Sequence, residues 1–467
     1  MTTQEPASSP PLTVASIDLS DLRFWARPPA ERARAFALLR AQPHPLRFRL
    51  PKVPFLRRDP GSWALVRHAD VVEASRRPDA FSSEPSATSP TDMPGWMSGY
   101  FTSMIDMDDP RHAKIRRIVS RAFTPRMLAQ AEDDIARRAA RIVDELVAAG
   151  PGDFVARVAM RLPVEVICDM LGIPPRDHAR VVRLTNIVVG YTDPEYVGET
   201  ADYTGARVKV SPLGVIRVLA TVALAGWRLH RLAARLGRRR RSAPTGDLTS
   251  ALVNANIDGE RLSPREFAAF FLLLVVAGNE TTRTAIAHGL KLFTDHPDQR
   301  RLLLADFEGR IAGAVEEIVR HSSPVVFMRR NVTRDVEING HRYRAGQKVM
   351  LFYASANRDE TVFTDPDAFD ITRHPNPHVG FGGPGPHFCL GAHLARREIT
   401  VMFRELFARL PDITAGEPDR LLSSFVNGYK RLPCAFTVPE AASDPGAPPP
   451  RARARPAPTA GSEPDRR

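Results

Sequence analysis

The stretch Gly380-Phe381-Gly382-Gly383-Pro384-Gly385-Pro386-His387-Phe388-Cys389-Leu390-Gly391 constrains this chain more than any other. Four glycines and two prolines ahead of Cys389 fix an irregular loop that comes close to something flat or bulky. A helix is predicted from Ala392 to Leu410, so Cys389 stands near the positive end of a helix dipole and among free backbone N–H groups. Both favour the thiolate, the form that ligates a metal. Gly391 leaves no side chain to obstruct a planar ligand. A lone cysteine is ordinarily a buried hydrophobe, and Cys168 and Cys434 keep that reading; the loop sets Cys389 apart. Zinc is the alternative, because His374, His378, His387 and Cys389 lie within sixteen residues. Their spacing matches no usual finger or ribbon, however. The run is not a phosphate loop either, since no Lys-Ser/Thr follows it.

A second feature is a long helix opening at Ser263-Pro264-Arg265-Glu266, a capping box with proline in the favoured first position. It is predicted to run to about Phe293, apolar on nearly every face in its middle and therefore buried. Ala277-Gly278-Asn279-Glu280-Thr281-Thr282 interrupts that apolar run with residues poorly suited to a buried helix. Either the helix emerges into solvent there, or polar groups face a site.

Three cysteines in 467 residues make no disulfide framework and point to a reducing, intracellular setting. Met1–Pro11 lacks the pattern of a signal peptide. The apolar runs Phe267–Gly278 and Val218–Trp227 fall short of a bilayer span, so a cytoplasmic location is expected. The net charge of +12 is a local matter: no acid lies between Asp202 and Asp247, where ten Lys and Arg residues do. Nucleic-acid binding is therefore not expected. Helices dominate, among them Glu31–Gln42 and Met127–Gly150. Strand-like pieces at Trp63–Val66, Val332–Ile338 and Lys348–Tyr353 suggest a small sheet. The fold class expected is mainly α with a small β-sheet region, as one domain over 18–439 between disordered tails at 1–17 and 440–467.

The residues then resemble a known family, the cytochromes P450. The loop Gly383–Gly391 is similar to its haem-binding loop, and Ala277–Thr282 to its oxygen-activation groove. Glu317-Ile-Val-Arg320, with Arg373 in Phe369-Asp-Ile-Thr-Arg373, is similar to its Glu-x-x-Arg helix and the arginine that pairs with it. One departure is that the aromatic expected seven residues before the cysteine is Gly382, with Phe381 one place earlier. The resemblance implies haem b, iron protoporphyrin IX, held between the long central helix and the cysteine loop. It implies Cys389 as the iron ligand, with Gly391 beside it, and His112, Arg116, Arg330 and His387 on the haem propionates. Glu280 and Thr281 match the acid–alcohol pair that delivers protons; Glu317, Arg320 and Arg373 match a structural cluster.

By family position the substrate pocket includes Val275, Val276, Val325, Val326, Phe327 and part of Ser423–Gly428. Further motifs, such as Met107-Asp-Asp-Pro-Arg-His112, resemble actinobacterial members that hydroxylate methyl-branched lipids and sterol side chains. The implied activity is hydroxylation of a small lipophilic substrate with O2 and two electrons. No flavin or iron–sulfur domain is evident, so electrons would come from a ferredoxin and its reductase, with Arg111, Lys114, Arg117, Arg121 and Arg126 as a basic docking face. A secondary-metabolite tailoring oxidase on the same fold, or a haem- or lipid-binding protein without turnover, are the alternatives. Gly205–Ala243 is longer than in those relatives, at the place of the family's mobile lid. It reads as a lid helix ending in a solvated basic loop, or as a peripheral membrane contact through 212–241.

Overall fold

The capping box predicted at Ser263 forms. Ser263 Oγ accepts from the Glu266 N–H at 3.2 Å, and Glu266 Oε2 accepts from the Ser263 N–H at 2.9 Å. From there one helix runs from Pro264 to Asp295, 32 residues without a break at the polar step. The computed structural model describes residues 12–49, 61–92, 101–122, 125–197, 212–256, 259 and 261–438. The C-terminal tail and most of the N-terminal one lie outside these residues. Residues 12–17, expected to be disordered, are ordered instead: Val14–Ser16 makes a turn and Ile17 packs with Phe24 and Trp25.

The helices that build the body are α1 (Pro29–Arg40), α2 (His68–Arg76), α3 (Arg111–Ala122) and α4 (Pro125–Ala149). There follow α5 (Arg161–Met170), α6 (Pro175–Val189), α7 (Pro212–Ser242), α8 (Leu248–Asn254) and α9 (Pro264–Asp295). The last are α10 (Pro297–Ala305), α11 (Phe307–Ser322) and α12 (Ala392–Arg409). Beside them lies a five-stranded sheet of β1 (Leu46–Phe48), β2 (Ser62–Leu65), β3 (Phe81–Ser82), β4 (Phe327–Val332) and β5 (Lys348–Phe352), in the order β1-β2-β5-β4-β3. Only the β2–β5 pair is parallel. The strand expected over Val332–Ile338 divides: β4 ends at Val332, and Val336–Ile338 pairs with His341–Tyr343 in a separate hairpin whose turn holds Asn339 and Gly340 at positive φ.

Helix α9 packs against α5, α6, α7, α11 and α12. Its two halves belong to different apolar cores. Phe267–Leu272 and Val275 pack largely with α3, α5, α7 and α8, while Ala285–Phe293 packs with α4, α11 and α12. The polar step falls at the junction between them. Each fully buried Phe contributes about 1.5–3 kcal/mol, so Phe267, Phe270 and Phe271 at one end and Phe293 at the other outweigh the helix penalty of about 1 kcal/mol at Gly278. The helix therefore does not emerge into solvent. It passes from one core to the next.

The segment expected to end in a basic loop is helical to Ser242, so Arg238–Arg241 form the last turn of α7. Arg240 Nε donates to Asp247 Oδ2 at 2.5 Å and closes that end against α8. Residues 205–211 of the same segment lie outside the described ones.

Candidate functional site

Two glycines explain how the cysteine loop is shaped. Gly385 has φ of +151°, and a Cβ there would lie 2.3 Å from the backbone oxygen of Ser75 on α2. No side chain fits, and the loop sits directly on that helix. A Cβ on Gly391 would meet nothing within 4 Å, so the space in front of it is open. The Cys389 N–H donates to Phe381 O at 2.9 Å, which turns the loop back on itself. The thiol is free and open to one side. Enclosure by the surrounding protein pushes its pKa up, against the downward pull of the Gly391 N–H, Arg116 and Arg396. The helix end and free backbone N–H groups were expected to favour the thiolate; here enclosure outweighs them, and deprotonation falls to a bound metal.

Four bases gather beside this loop. His112 and His387 lie with ring centroids 4.2 Å apart. Arg116 donates to Phe388 O at 2.7 Å, and the buried Arg330 donates to Arg329 O at 2.8 Å. His387 Nε2 faces Ser83 Oγ at 3.0 Å. Burial, with Arg330, His112 and Arg116 nearby, holds His387 down at about 3, and burial lowers His112 as well. His112 Nε2 is buried with no hydrogen-bond partner among the described residues. A bare thiol, an unobstructed glycine, an orphaned ring nitrogen and a cluster of bases fit a flat, metal-bearing dianion.

They do not fit zinc. His378 turns to Glu316 Oε2 at 2.9 Å and His387 to Ser83. Among the described residues no three His, Cys, Asp or Glu gather at ligand spacing.

On α9, Ala277 is exposed although the helix runs through the core, with Gly278 and Thr281 half-buried beside it. Thr281 Oγ1 donates to Ala277 O at 2.8 Å. Glu280 is buried and pairs with Arg283 at 3.0 Å, while Asn279 Nδ2 donates to its other oxygen at 3.3 Å. Burial raises the Glu280 pKa, with Arg283 opposing. Arg283 in turn donates to Asn186 on α6 at 3.1 Å. Glu280 and Thr281 are thus neighbours in sequence whose side chains have separate partners.

Glu317 and Arg320 share two hydrogen bonds of 2.7 Å at zero exposure, so the pair is no surface ion pair. Arg373 Nε joins at 3.3 Å, and Arg320 also donates to the carbonyls of Asn357, Pro366 and Ala368 at 2.8 Å each. The five pocket candidates do not form one wall. Val276 packs with Val426 and Leu421, and Val325 bridges to Val426. Val275 sits in the core under α7. Val326 and Phe327 pack with Trp25, Phe36 and Phe352.

The description "Cytochrome P450" belongs to the family model that matches residues 311–410. A methyl-branched lipid omega-hydroxylase of Mycobacterium tuberculosis is 46% identical over 92% of this chain and 96% of its own length. The chain belongs to the cytochrome P450 family. A steroid C26-monooxygenase of Mycolicibacterium smegmatis is 40% identical over 84% of the chain and 87% of its own length. Among solved structures, a cytochrome P450 of Mycobacterium marinum in complex with pseudoionone matches with a TM-score of 0.83. It is 44% identical and covers 92% of this chain and all of its own. This P450 is accordingly a haem b monooxygenase that takes electrons from a redox partner.

Three residues of this P450 were missed in the sequence. Arg283 could have been found as an i,i+3 partner of Glu280. Arg396 and Glu316 could not, being 80 residues apart. Arg396 donates twice to Glu316, at 2.5 and 2.9 Å, and lies 4.3 Å over the ring of Phe381. The displaced aromatic thus carries a cation beside Cys389.

Proposed function

We propose that this P450 hydroxylates a lipophilic substrate, such as a branched lipid, fatty acid or sterol-like molecule, in the cytoplasm. The observation that carries it is the open Cys389 thiol beside four converging bases. Cys389 would hold the haem iron, Gly391 would leave the ring room, and His112, Arg116, Arg330 and His387 would partner the propionates. Haem, when bound, supplies the iron that activates dioxygen. The rest is the chain's own work. Glu280, kept protonated more readily by its burial, turns from Arg283 and passes a proton to the Thr281 hydroxyl. Thr281 accepts it on an Oγ1 lone pair and, on releasing Ala277 O, hands its own hydroxyl proton on towards the place where dioxygen is reduced.

Val276, Val325 and the turn Ser423–Gly428 line the nearest apolar wall, which suits an apolar molecule. Residues 18–439 serve as one catalytic domain. A ferredoxin with its reductase is the electron source, and the exposed Phe388 beside Arg116 offers it a contact. Arg111 is less available, because it pairs with Glu266. Peripheral contact of 212–241 with a membrane belongs to the same reading.

The test is the carbon monoxide difference spectrum of the dithionite-reduced protein. A Soret band at the long-wavelength position of a thiolate-ligated haem is expected, and Cys389→Ala should abolish it. A band at the position of histidine-ligated haem in the wild type would overturn the assignment of Cys389. Thr281→Ala should lower product formed per electron pair; unchanged coupling would remove Thr281 from the relay.

A further inference from the structure

We infer that α7 is a reader of anionic lipid surfaces, its N-terminal half entering the acyl boundary and its C-terminal half taking the headgroups. The inference rests on the peripheral contact proposed above and gives it residues and a lipid chemistry.

A helix on the outside of a globular protein buries one face and shows polar side chains on the other. Helix α7 buries the expected face: Val222, Ala225, Leu229, Leu232, Ala233 and Leu236 pack towards α6, α8 and α9. Its outer face is largely apolar in the first half, with the exposed Arg217 and Arg228 along one edge. Leu213, Ile216, Leu224 and Trp227 are 78, 49, 46 and 42% exposed, and their spacing of three, eight and three places them on one stripe. They are four of the nine large apolar side chains exposed among the described residues. Continued in steps of four, four and three, the stripe becomes Arg231, Arg235 and Arg238, with Arg239 and Arg241 beside it, all exposed. Arg231 lies 5.3 Å over the Trp227 ring, where the apolar half meets the basic half.

The division of the stripe selects the occupant. Four apolar side chains followed by five arginines, with no acid from residue 203 to 246, complement an apolar phase bordered by negative charge. An anionic bilayer has that arrangement. Leu213–Ser242 is long and apolar enough to cross a membrane by length and composition. Its inner face is part of the protein core, however, so it lies on the surface rather than through it. The helix also packs on α9 and α6, which puts a lipid reservoir one helix away from the polar step at Ala277–Thr282.

The test is co-sedimentation of the full-length holoprotein with vesicles of phosphatidylcholine alone and of phosphatidylcholine mixed with phosphatidylglycerol. Two variants accompany it: Leu213→Gln/Ile216→Gln/Leu224→Gln/Trp227→Gln, and Arg231→Gln/Arg235→Gln/Arg238→Gln/Arg239→Gln/Arg241→Gln. All nine positions are exposed, and an unchanged carbon monoxide spectrum certifies that each variant is folded. Binding to the mixed vesicles is expected to exceed binding to the neutral ones, to weaken in high salt, and to fall about tenfold or more in either variant. Equal binding to both vesicles, unmoved by the arginine variant, would overturn the anionic reading and leave peripheral contact standing. Binding to neither would overturn both. A wild-type dimer in light scattering that becomes monomeric in the apolar variant, without vesicle binding, would assign the stripe to a second copy of the chain and also overturn the inference.

Discussion

Glu398, on α12, is buried and its Oε2 finds no hydrogen-bond partner among the described residues, so burial lifts its pKa to about 8. Its folded-state value lies above the unfolded one of about 4.3. The folded protein therefore holds a proton the unfolded chain releases, and stability is lost as pH rises from about 4.3 to 8. Glu398→Gln should remove that loss. The variant is expected to melt higher than wild type at pH 8 and to match it near pH 4. The gap grows by at most about 1.4 kcal/mol per pH unit; a pH-independent difference in melting would refute this account. Glu317 is the opposite case, a buried carboxylate with every need met by Arg320, Arg373, Asn376 and the Asp370 N–H. Arg320→Met would strand its charge at zero exposure and cost about 3–5 kcal/mol in urea unfolding. The motif was legible in the sequence, but its burial was not, because the carbonyls that cage Arg320 come from 37 to 48 residues away.

At the scale of elements, local rules carried most of the reading. The capping box, the start of α9 and the break in apolarity at Ala277 were all present in consecutive residues. Ser263→Ala should lower stability by about 1 kcal/mol through loss of the cap, checked by the urea midpoint. The cysteine loop was legible as an irregular, close-approaching segment. What it approaches was not, since Ser75 belongs to α2. Gly385→Ala tests that contact: its Cβ would meet a backbone oxygen that cannot move aside, in a conformation side chains rarely adopt. Haem retained per chain after gel filtration should fall, with far-ultraviolet dichroism nearly unchanged. Full retention would mean the loop has slack. The pocket was the weakest expectation. Val325, Val326 and Phe327 are consecutive, but their partners are not local: Val325 bridges to Val426, while Val326 and Phe327 join the core around Trp25.

For the molecule as a whole, buried histidines set the acid limit. His288, between Asn427 O at 2.7 Å and the Tyr429 hydroxyl at 3.1 Å, is held at about 3 by burial, and His321 lies well below its usual value. The unfolded chain protonates these rings below about pH 6.5 while the folded protein does not, so stability falls on acidification from about 6.5 towards 3. Urea midpoints measured across pH should therefore decline on the acid side, and less steeply in His288→Gln; a flat profile would exclude these rings as the cause. Fold class, helix content and family were all open to a reading of the sequence, because a long chain with one cysteine loop and one capped core helix has few ways to pack. The division of α9 between two apolar cores was not: the polar step at Ala277–Thr282 marks the place, but the partners on either side come from other elements of the chain. That division bears on how such an enzyme can be redirected. A residue exchanged on α9 disturbs packing on which half the molecule depends, so a redesign for bulkier molecules that begins at Val275 starts at the least forgiving place. The turn around Phe425 and Val426, fastened by the Ser423 hydroxyl and packed on Val189, Leu421, Val276 and Phe327, belongs to neither of those two cores and is the freer material. Libraries of new specificity are best built there.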